Sequence, residues 1–173
     1  YKSPNIGGLT VNAAVGMGEG DSVTIPGGRD AGFNVEYAAG PIYAAVAYDK
    51  KSGGQLASDG NSLTNAALHY DFGVAKVMLN IGQSKTGIGN VATNKFYSLG
   101  ALAPIGPGML KVAYAKLDMQ DLTPGVNNPL DTKKFAIGYN YNLSKRTNLY
   151  ADFSNARSSS STLTSNSAYA FGL

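Results

Sequence analysis

The chain has 173 residues, a formal net charge of +3 and charged residues at only 14% of its positions, against about 25% in ordinary soluble domains. It has no cysteine, which excludes disulfides, thiol catalysis and cysteine-bound metals. No run of Lys or Arg exceeds two residues, so we expect no nucleic-acid partner. The first residues, "YKSPNIGGL", lack a basic start followed by an apolar run, so we expect no signal peptide among them. The longest clean apolar run, 42–48, is far shorter than the roughly 20 residues of a spanning helix.

Apolar residues recur at every second position along most of the chain, which is the period of a β-strand and not of a helix. The first such segment, "LTVNAAVGM", begins at Leu9, and later examples are "KKFAIGYNY" and "SAYAFGL". The alternation predicts about ten strands, at 9–17, 30–38, 41–49, 62–71, 75–84, 95–103, 109–118, 133–141, 147–156 and 167–173.

The predicted connections alternate in length. Short ones at 3–8, 39–40, 72–74, 104–108 and 142–146 are each followed by a long one at 18–29, 50–61, 85–94, 119–132 or 157–166. Short turns at one end of a meander and long loops at the other are typical of outer-membrane barrels. Strands of about 9–11 residues also match a tilted crossing of the hydrocarbon layer. The predicted fold class is therefore all-β, an antiparallel up-and-down transmembrane β-barrel.

A soluble β-sandwich also alternates apolar and polar residues, so the pattern alone leaves both folds open. Two details favour the barrel. The non-apolar positions hold mainly Ala, Gly, Asn, Ser and Thr, with few of the charges that a solvent-facing sheet carries. Aromatic residues also stand beside the short turns on the apolar parity, as in an interfacial girdle, although rings favour strands generally. These predicted interface residues are Tyr37, Tyr70, Phe72, Tyr139 and Tyr141.

Four stretches carry a family resemblance: "YKSPNIGGL", "HYDFGVAKV", "SLGALAPIGPGMLKVAY" and "YNLSKRTNLYADF". Together they resemble the C-terminal half of Gram-negative general diffusion porins, and the phrase N-L-S-K-R-T-x-L-Y is specific to that family. The resemblance covers essentially the whole chain, mainly its strands and short turns.

The resemblance implies a 16-stranded, trimeric barrel in the bacterial outer membrane, surrounded by lipid and lipopolysaccharide. Residues 1–173 would be the C-terminal portion of its single barrel domain, with 9–17 as the seventh strand and 1–3 as the end of the sixth. The constriction loop of the N-terminal half and the terminal aromatic of the family are absent. We therefore expect a piece of a longer polypeptide, because an open sheet exposes unpaired edges at membrane depth.

Catalysis is poorly supported, because a Ser-His-Asp triad needs an imidazole and His69 is the one histidine of the chain. His69 and Asp71 lie two apart on the polar parity, which is too few ligands for a metal site. We therefore expect no enzymatic activity, no catalytic residues, no metal and no cofactor.

Transport is the remaining chemistry. By strand parity the predicted pore-lining residues are Glu36, Asp49, His69, Asp71, Lys76, Lys111, Lys134 and Asp152. Hydrated charges on such a wall bias the passage of ions, but three lysines against four carboxylates leave ion selectivity undecided. Lys116 falls instead on the apolar parity near a long loop, where we expect it to extend towards lipid headgroups.

The predicted function is passive diffusion of ions and small hydrophilic solutes through a water-filled channel. One alternative is another outer-membrane barrel that acts through its loops, as an adhesin or a barrel enzyme. It is disfavoured because the loop-rim acids are scattered and lack a histidine: Asp21, Asp59, Asp121 and Asp131. A second alternative is a soluble β protein that binds a partner with its loops.

Overall fold

A single antiparallel sheet dominates the protein, in a computed structural model that describes residues 1–18, 21–22, 25–26, 28–52, 60–86, 92–121, 130–159 and 165–173. Its ten strands are β1 (Leu9–Gly16), β4 (Arg29–Ala39), β5 (Ile42–Ser52), β6 (Ser62–Asp71), β7 (Lys76–Thr86), β8 (Ala92–Ile105), β9 (Gly108–Asp121), β10 (Leu130–Asn142), β11 (Asn148–Ser158) and β12 (Asn166–Gly172). The two-residue strands β2 (Asp21–Ser22) and β3 (Ile25–Pro26) pair with each other.

The ten strands follow one another in chain order as an up-and-down meander. In the described part of the chain, each of them packs only against its neighbours in the sheet. The predicted all-β meander of ten strands is therefore confirmed, and the described residues include no second layer of the kind that a sandwich requires. Residues 1–3 also pair along the free side of β1, through an antiparallel bridge between Lys2 and Asn12.

All ten predicted strands are present, but the boundaries in the middle of the chain were wrong. Strands β8, β9 and β10 have 14, 14 and 13 residues and extend into two of the predicted long loops, 85–94 and 119–132. Backbone ladder hydrogen bonds continue there although the apolar alternation has ended. The centres of the five predicted long loops, together with Asp59 and the side chains of Asp21 and Asp121, lie outside the described residues.

The first short connection is a tight hairpin. Ile6 and Leu9 exchange backbone N–H···O bonds of 2.9 and 3.1 Å, and between them Gly7 and Gly8 have φ angles of +60° and +95°. A two-residue turn with both central residues at positive φ twists as the flanking strands do, and it strongly favours glycine.

Residues that pair across a ladder lie on the same face of the sheet, so the register defines two faces. One row through all ten strands reads Thr10, Glu36, Ala45, Ala67, Asn80, Ser98, Ala115, Lys134, Ala156 and Asn166. We call this side the polar face. A row on the other side reads Ala39, Ile42, Tyr70, Val77, Ala101, Val112, Ile137, Phe153 and Tyr169. We call it the apolar face.

The apolar face is uncovered. No described hydrophobic side chain is buried, and Val46, Leu99 and Phe135 on this face are 52%, 50% and 42% exposed. An apolar surface of this extent marks a contact with lipid or with other protein.

No helix in the described ranges is long and apolar enough to cross a membrane.

Candidate pore-lining face

The pairing of the strands places all eight predicted pore-lining residues on the polar face. Three hollows, of about 560, 360 and 280 Å³, lie along this face and are lined by its side chains. Small residues help to form the two larger hollows, because Gly32 in one and Gly100 and Gly138 in the other add no side chain to the surface. The structure does not gather the eight residues into one cluster but spreads them over the wall.

One ion pair on this wall crosses a glycine. Lys111 of β9 and Asp152 of β11 both lie opposite Gly138 of β10, and Lys111 Nζ is 2.9 Å from Asp152 Oδ1. A Cβ atom on Gly138 would lie 1.8 Å from Asp152 Oδ1 and 3.1 Å from Lys111 Cε. Glycine therefore allows the two side chains to meet over the middle strand. The sequence prediction missed Gly138, whose role appears only when three strands are placed in register.

A second polar group lies at the short-turn end of β6 and β7. Lys76 Nζ is 3.9 Å from Asp71 Oδ2 across the turn that joins these strands. Next to it, the rings of Tyr43 and His69 stack with centroids 4.8 Å apart. Together these side chains line the 280 Å³ hollow. The aromatic platform under His69 was not predicted, because Tyr43 reads as one more apolar residue of its strand.

Glu36 lies in an amide cluster on β1 and β4. Its Oε1 accepts hydrogen bonds from Asn34 Nδ2 and from Asn12 Nδ2, the latter at 3.2 Å. A further ion pair, between Lys51 Nζ and Asp30 Oδ2 at 3.9 Å, lies near the long-loop end of the same face. The sequence prediction missed these partners, because it ended the strand at residue 49 and weighed charged residues more than amides.

Asp49 and Lys134 complete the predicted set. Asp49 lies opposite Gly32, where an added Cβ would be 2.8 Å from its Oδ2. Lys134 lies between two alanines, Ala115 and Ala156, and makes no ion pair with a described residue. Both side chains are exposed, as expected of charges that meet water.

No group of three or more His, Asp or Glu side chains suited to a metal ion occurs in the described ranges.

Four of the five predicted interface aromatics lie on the apolar face beside the short turns, and the fifth, Phe72, lies in the turn after β6. The rings of Tyr70 and Phe72 pack with centroids 4.5 Å apart, and the Tyr139 hydroxyl donates a 2.7 Å hydrogen bond to the carbonyl of Ile105. Tyr37 and Tyr141 are each 40% exposed. A second set of ring pairs on this face lies further towards the long loops and was missed: Phe33 with Tyr48, Tyr97 with Tyr114, and Phe153 with Tyr169.

Comparison with known families places residues 1–161 within the Gram-negative porin family. This chain belongs to the Gram-negative porin family. It is 37% identical over 167 residues to outer membrane porin protein 32 of Delftia acidovorans, covering 88% of the chain and 43% of that protein. The chain thus spans about half the length of the curated relative that it matches. Membership assigns this porin chain to the outer membrane.

Solved structures agree with the fold of the porin chain. An anion-selective porin from Comamonas acidovorans superposes with a TM-score of 0.70 at 30% identity, over 91% of this chain and 48% of that one. A loop-deleted form of OmpT, an outer membrane protein of Vibrio cholerae, gives a TM-score of 0.72 at 14% identity, over 99% of this chain and 59% of that one. The second match bears on the fold alone.

Lys116, predicted to extend towards headgroups, lies on the apolar face of the porin chain within an ion-pair network. Its Nζ is 3.7 Å from Asp131 Oδ2 and also pairs with Asp118. Both carboxylates lie nearer the long-loop end than Lys116 does, so the ammonium group is directed towards that end, as expected.

Proposed function

We propose that the protein containing this chain forms a water-filled channel in the outer membrane for passive diffusion of ions and small hydrophilic solutes. The observation that carries this proposal is the division of one sheet into two faces. The apolar face is exposed and has no cover in the described structure, which suits contact with hydrocarbon. The polar face carries hydrated charges and small residues, which suits a wall that faces water.

The eight residues on the polar face act in this proposal by setting the local potential of the lumen. The described ion pairs Lys111–Asp152 and Lys76–Asp71 leave both partners partly exposed, with side-chain exposure between 36% and 48%. Charges in such surroundings keep their water and attract or repel passing ions without binding them tightly. No reaction step and no cofactor is required, so the proposed activity is transport without catalysis.

In our proposal, the charges of the polar face do not give the channel a preference for anions. One solved relative is named an anion-selective porin, but the described charges on the polar face are four lysines and five carboxylates. They are Lys51, Lys76, Lys111 and Lys134, against Asp30, Glu36, Asp49, Asp71 and Asp152. Any strong preference for anions therefore arises from other parts of the pore.

The five aromatics at the short turns mark one membrane boundary in this proposal, and the assembly is a homotrimer in lipid and lipopolysaccharide. Support for the trimer comes from the porin resemblance. Amine-reactive crosslinking of the full-length protein in uncharged detergent should produce a ladder that ends at three subunits. A ladder ending at one or two subunits would remove the trimer from the proposal.

Planar-bilayer recording of the full-length protein tests the channel directly. We expect discrete, long-lived conductance steps, and a reversal potential in a salt gradient that gives the ion preference. A protein that inserts into the bilayer and yields no steps would overturn the proposed function.

A further inference from the structure

The smallest of the three hollows on the polar face combines an ion pair with an aromatic surface. It has a volume of about 280 Å³ and is lined by Tyr43, His69, Asp71, Lys76 and the turn at 38–42. We call it the turn-end hollow, because it lies where short turns join the strands. Its volume is just below the range for drug-sized ligands, so it suits a smaller solute.

The ion pair of the turn-end hollow is open. Asp71 and Lys76 are directly opposite each other on β6 and β7, and Lys76 Nζ lies 3.9 Å from Asp71 Oδ2. That separation exceeds the 2.7–2.9 Å or so of a charge-assisted N–H···O hydrogen bond. On the same face, by contrast, Lys111 Nζ is 2.9 Å from Asp152 Oδ1. Both charges of the turn-end hollow therefore keep hydrogen-bonding capacity that a solute can use.

The backbone around Asp71 fixes its carboxylate in position. Asp71 Oδ1 accepts a 2.8 Å hydrogen bond from the N–H of Gly73, and the N–H of Asp71 donates a 2.9 Å hydrogen bond to the carbonyl of Pro41. Neither contact uses Oδ2, the oxygen nearer to Lys76. The pair therefore offers a preorganised acceptor beside a flexible lysine donor, and preorganisation lowers the cost of binding.

A neutral pair of this kind favours a solute that carries both charges. An anion attracted by Lys76 is repelled by Asp71, and a cation attracted by Asp71 is repelled by Lys76. An amino acid zwitterion has its ammonium and carboxylate groups on one carbon atom, so its carboxylate can meet Lys76 while its ammonium meets Asp71 Oδ2. The four charges then alternate in sign. Solutes with a single charge cannot form this arrangement.

The aromatic surface lies one row further from the short turns. Tyr43 and His69 are directly opposite each other, and their rings stack with centroids 4.8 Å apart and an interplanar angle of 30°. Successive residues on one face of a strand are about 7 Å apart. The side chain of a zwitterion held at Asp71 and Lys76 therefore reaches the rings. Ring contacts are attractive beyond the area that they bury, so an aromatic side chain is favoured.

We propose that Asp71, Lys76, Tyr43 and His69 form a weak subsite for zwitterionic amino acids with apolar or aromatic side chains. This inference rests on the proposed channel function and adds a solute class to it. Asp71 binds the ammonium group, Lys76 binds the carboxylate, and the stacked rings contact the side chain. Weak binding is compatible with transport, because a passing solute must leave the wall as readily as it enters.

The test uses full-length protein in uncharged detergent at neutral pH, with L-phenylalanine as the probe and a ligand-observed NMR titration as the measurement. Asp71→Asn and Lys76→Gln should each raise the Kd about tenfold, because each removes one charge-assisted hydrogen bond. Asn keeps the side-chain oxygen that accepts from Gly73, so the turn is retained. Lys111→Gln is the matched control, since it removes a lysine of the same face outside this hollow, and its Kd should equal that of the parent.

Single-charge analogues separate a zwitterion site from a simple ion site. The probes 3-phenylpropanoate and 2-phenylethylamine keep the ring of phenylalanine and one of its two charges, and each should bind the parent protein about tenfold more weakly or worse. Tyr43→Leu tests the aromatic surface. It should weaken the binding of L-phenylalanine but not of glycine, which has no side chain to contact the ring.

The outcomes separate this inference from the channel itself. Equal affinity of the parent and both charge variants for L-phenylalanine would overturn it, as would an analogue that binds as tightly as L-phenylalanine. Bilayer recording of the same proteins is the second readout. Channels that conduct while all variants bind L-phenylalanine alike would remove this inference alone, whereas absence of channels in every form would remove the proposed function.

Discussion

Asp152 gives the most direct test of a single charge on the polar face. Replacing it with Asn removes one carboxylate from the proposed lumen and frees Lys111, which lies 2.9 Å away. We expect the reversal potential in a salt gradient to move towards anions. The change should be modest, because water and salt screen charges over about 8–10 Å. Asp131→Asn, a carboxylate of the apolar face, is the control and should leave the reversal potential unchanged; equal shifts in both variants would contradict the assignment of faces.

Gly138 tests whether close approach on the polar face matters for stability. Ala in its place puts a Cβ 1.8 Å from Asp152 Oδ1, so the carboxylate must move away from Lys111. We expect a loss of up to about 1 kcal/mol in the free energy of unfolding, the range for a partly exposed ion pair, measured by urea unfolding in uncharged detergent. Gly100→Ala is the matched control, since its nearest contact is the flexible Met78 methyl at 3.3 Å. A larger effect at Gly100 than at Gly138 would count against this reading.

At the scale of the strand, the side chains of the apolar face must be stable in contact with the hydrocarbon of the bilayer. Val112 and Ile137 are directly opposite each other on β9 and β10, in a row without charges. Ile137→Lys should therefore cost about 2–4 kcal/mol of folding free energy in a bilayer, the range for lysine near the midplane. The measurement is reversible folding into lipid vesicles as a function of urea.

Ala136→Lys is the control for this substitution, because Ala136 is the adjacent residue and lies on the polar face between Ala113 and Ser154. We expect it to fold into vesicles nearly as well as the parent. If both lysine variants were equally impaired, the two faces would not differ in environment.

The strands could be predicted from sequence because alternation is a local signal. Leu9, Val11 and Val15 indicate a strand without knowledge of its neighbours, and all ten strands were found. Contacts that depend on register could not be found in this way. The Lys111–Asp152 pair needs Gly138 placed between them, and the row of Lys116, Lys133 and Arg157 appears only when three strands are aligned. The long ends of β8 to β10 were missed because backbone pairing continues after the apolar pattern stops.

For the whole molecule, the proposed function requires one sheet to have water on its polar face and lipid on its apolar face. Membership of the Gram-negative porin family and the match to an anion-selective porin from Comamonas acidovorans fit that arrangement. The charged residues also differ between these two faces. The polar face has nearly balanced charges, whereas the excess of cations lies on the apolar face, at the long-loop ends of its strands. The chain's formal charge of +3 is therefore a poor guide to ion preference.

Single-cysteine labelling during bilayer recording tests this central claim most directly, since the chain has no cysteine of its own. Ala136→Cys and Ile137→Cys would be placed in the full-length protein without other cysteines, and a membrane-impermeant, negatively charged methanethiosulfonate would be added. We predict that the reagent lowers the conductance of open Ala136→Cys channels and shifts their reversal potential, and that Ile137→Cys channels do not respond. A response at Ile137 with none at Ala136 would contradict the assignment of the two faces.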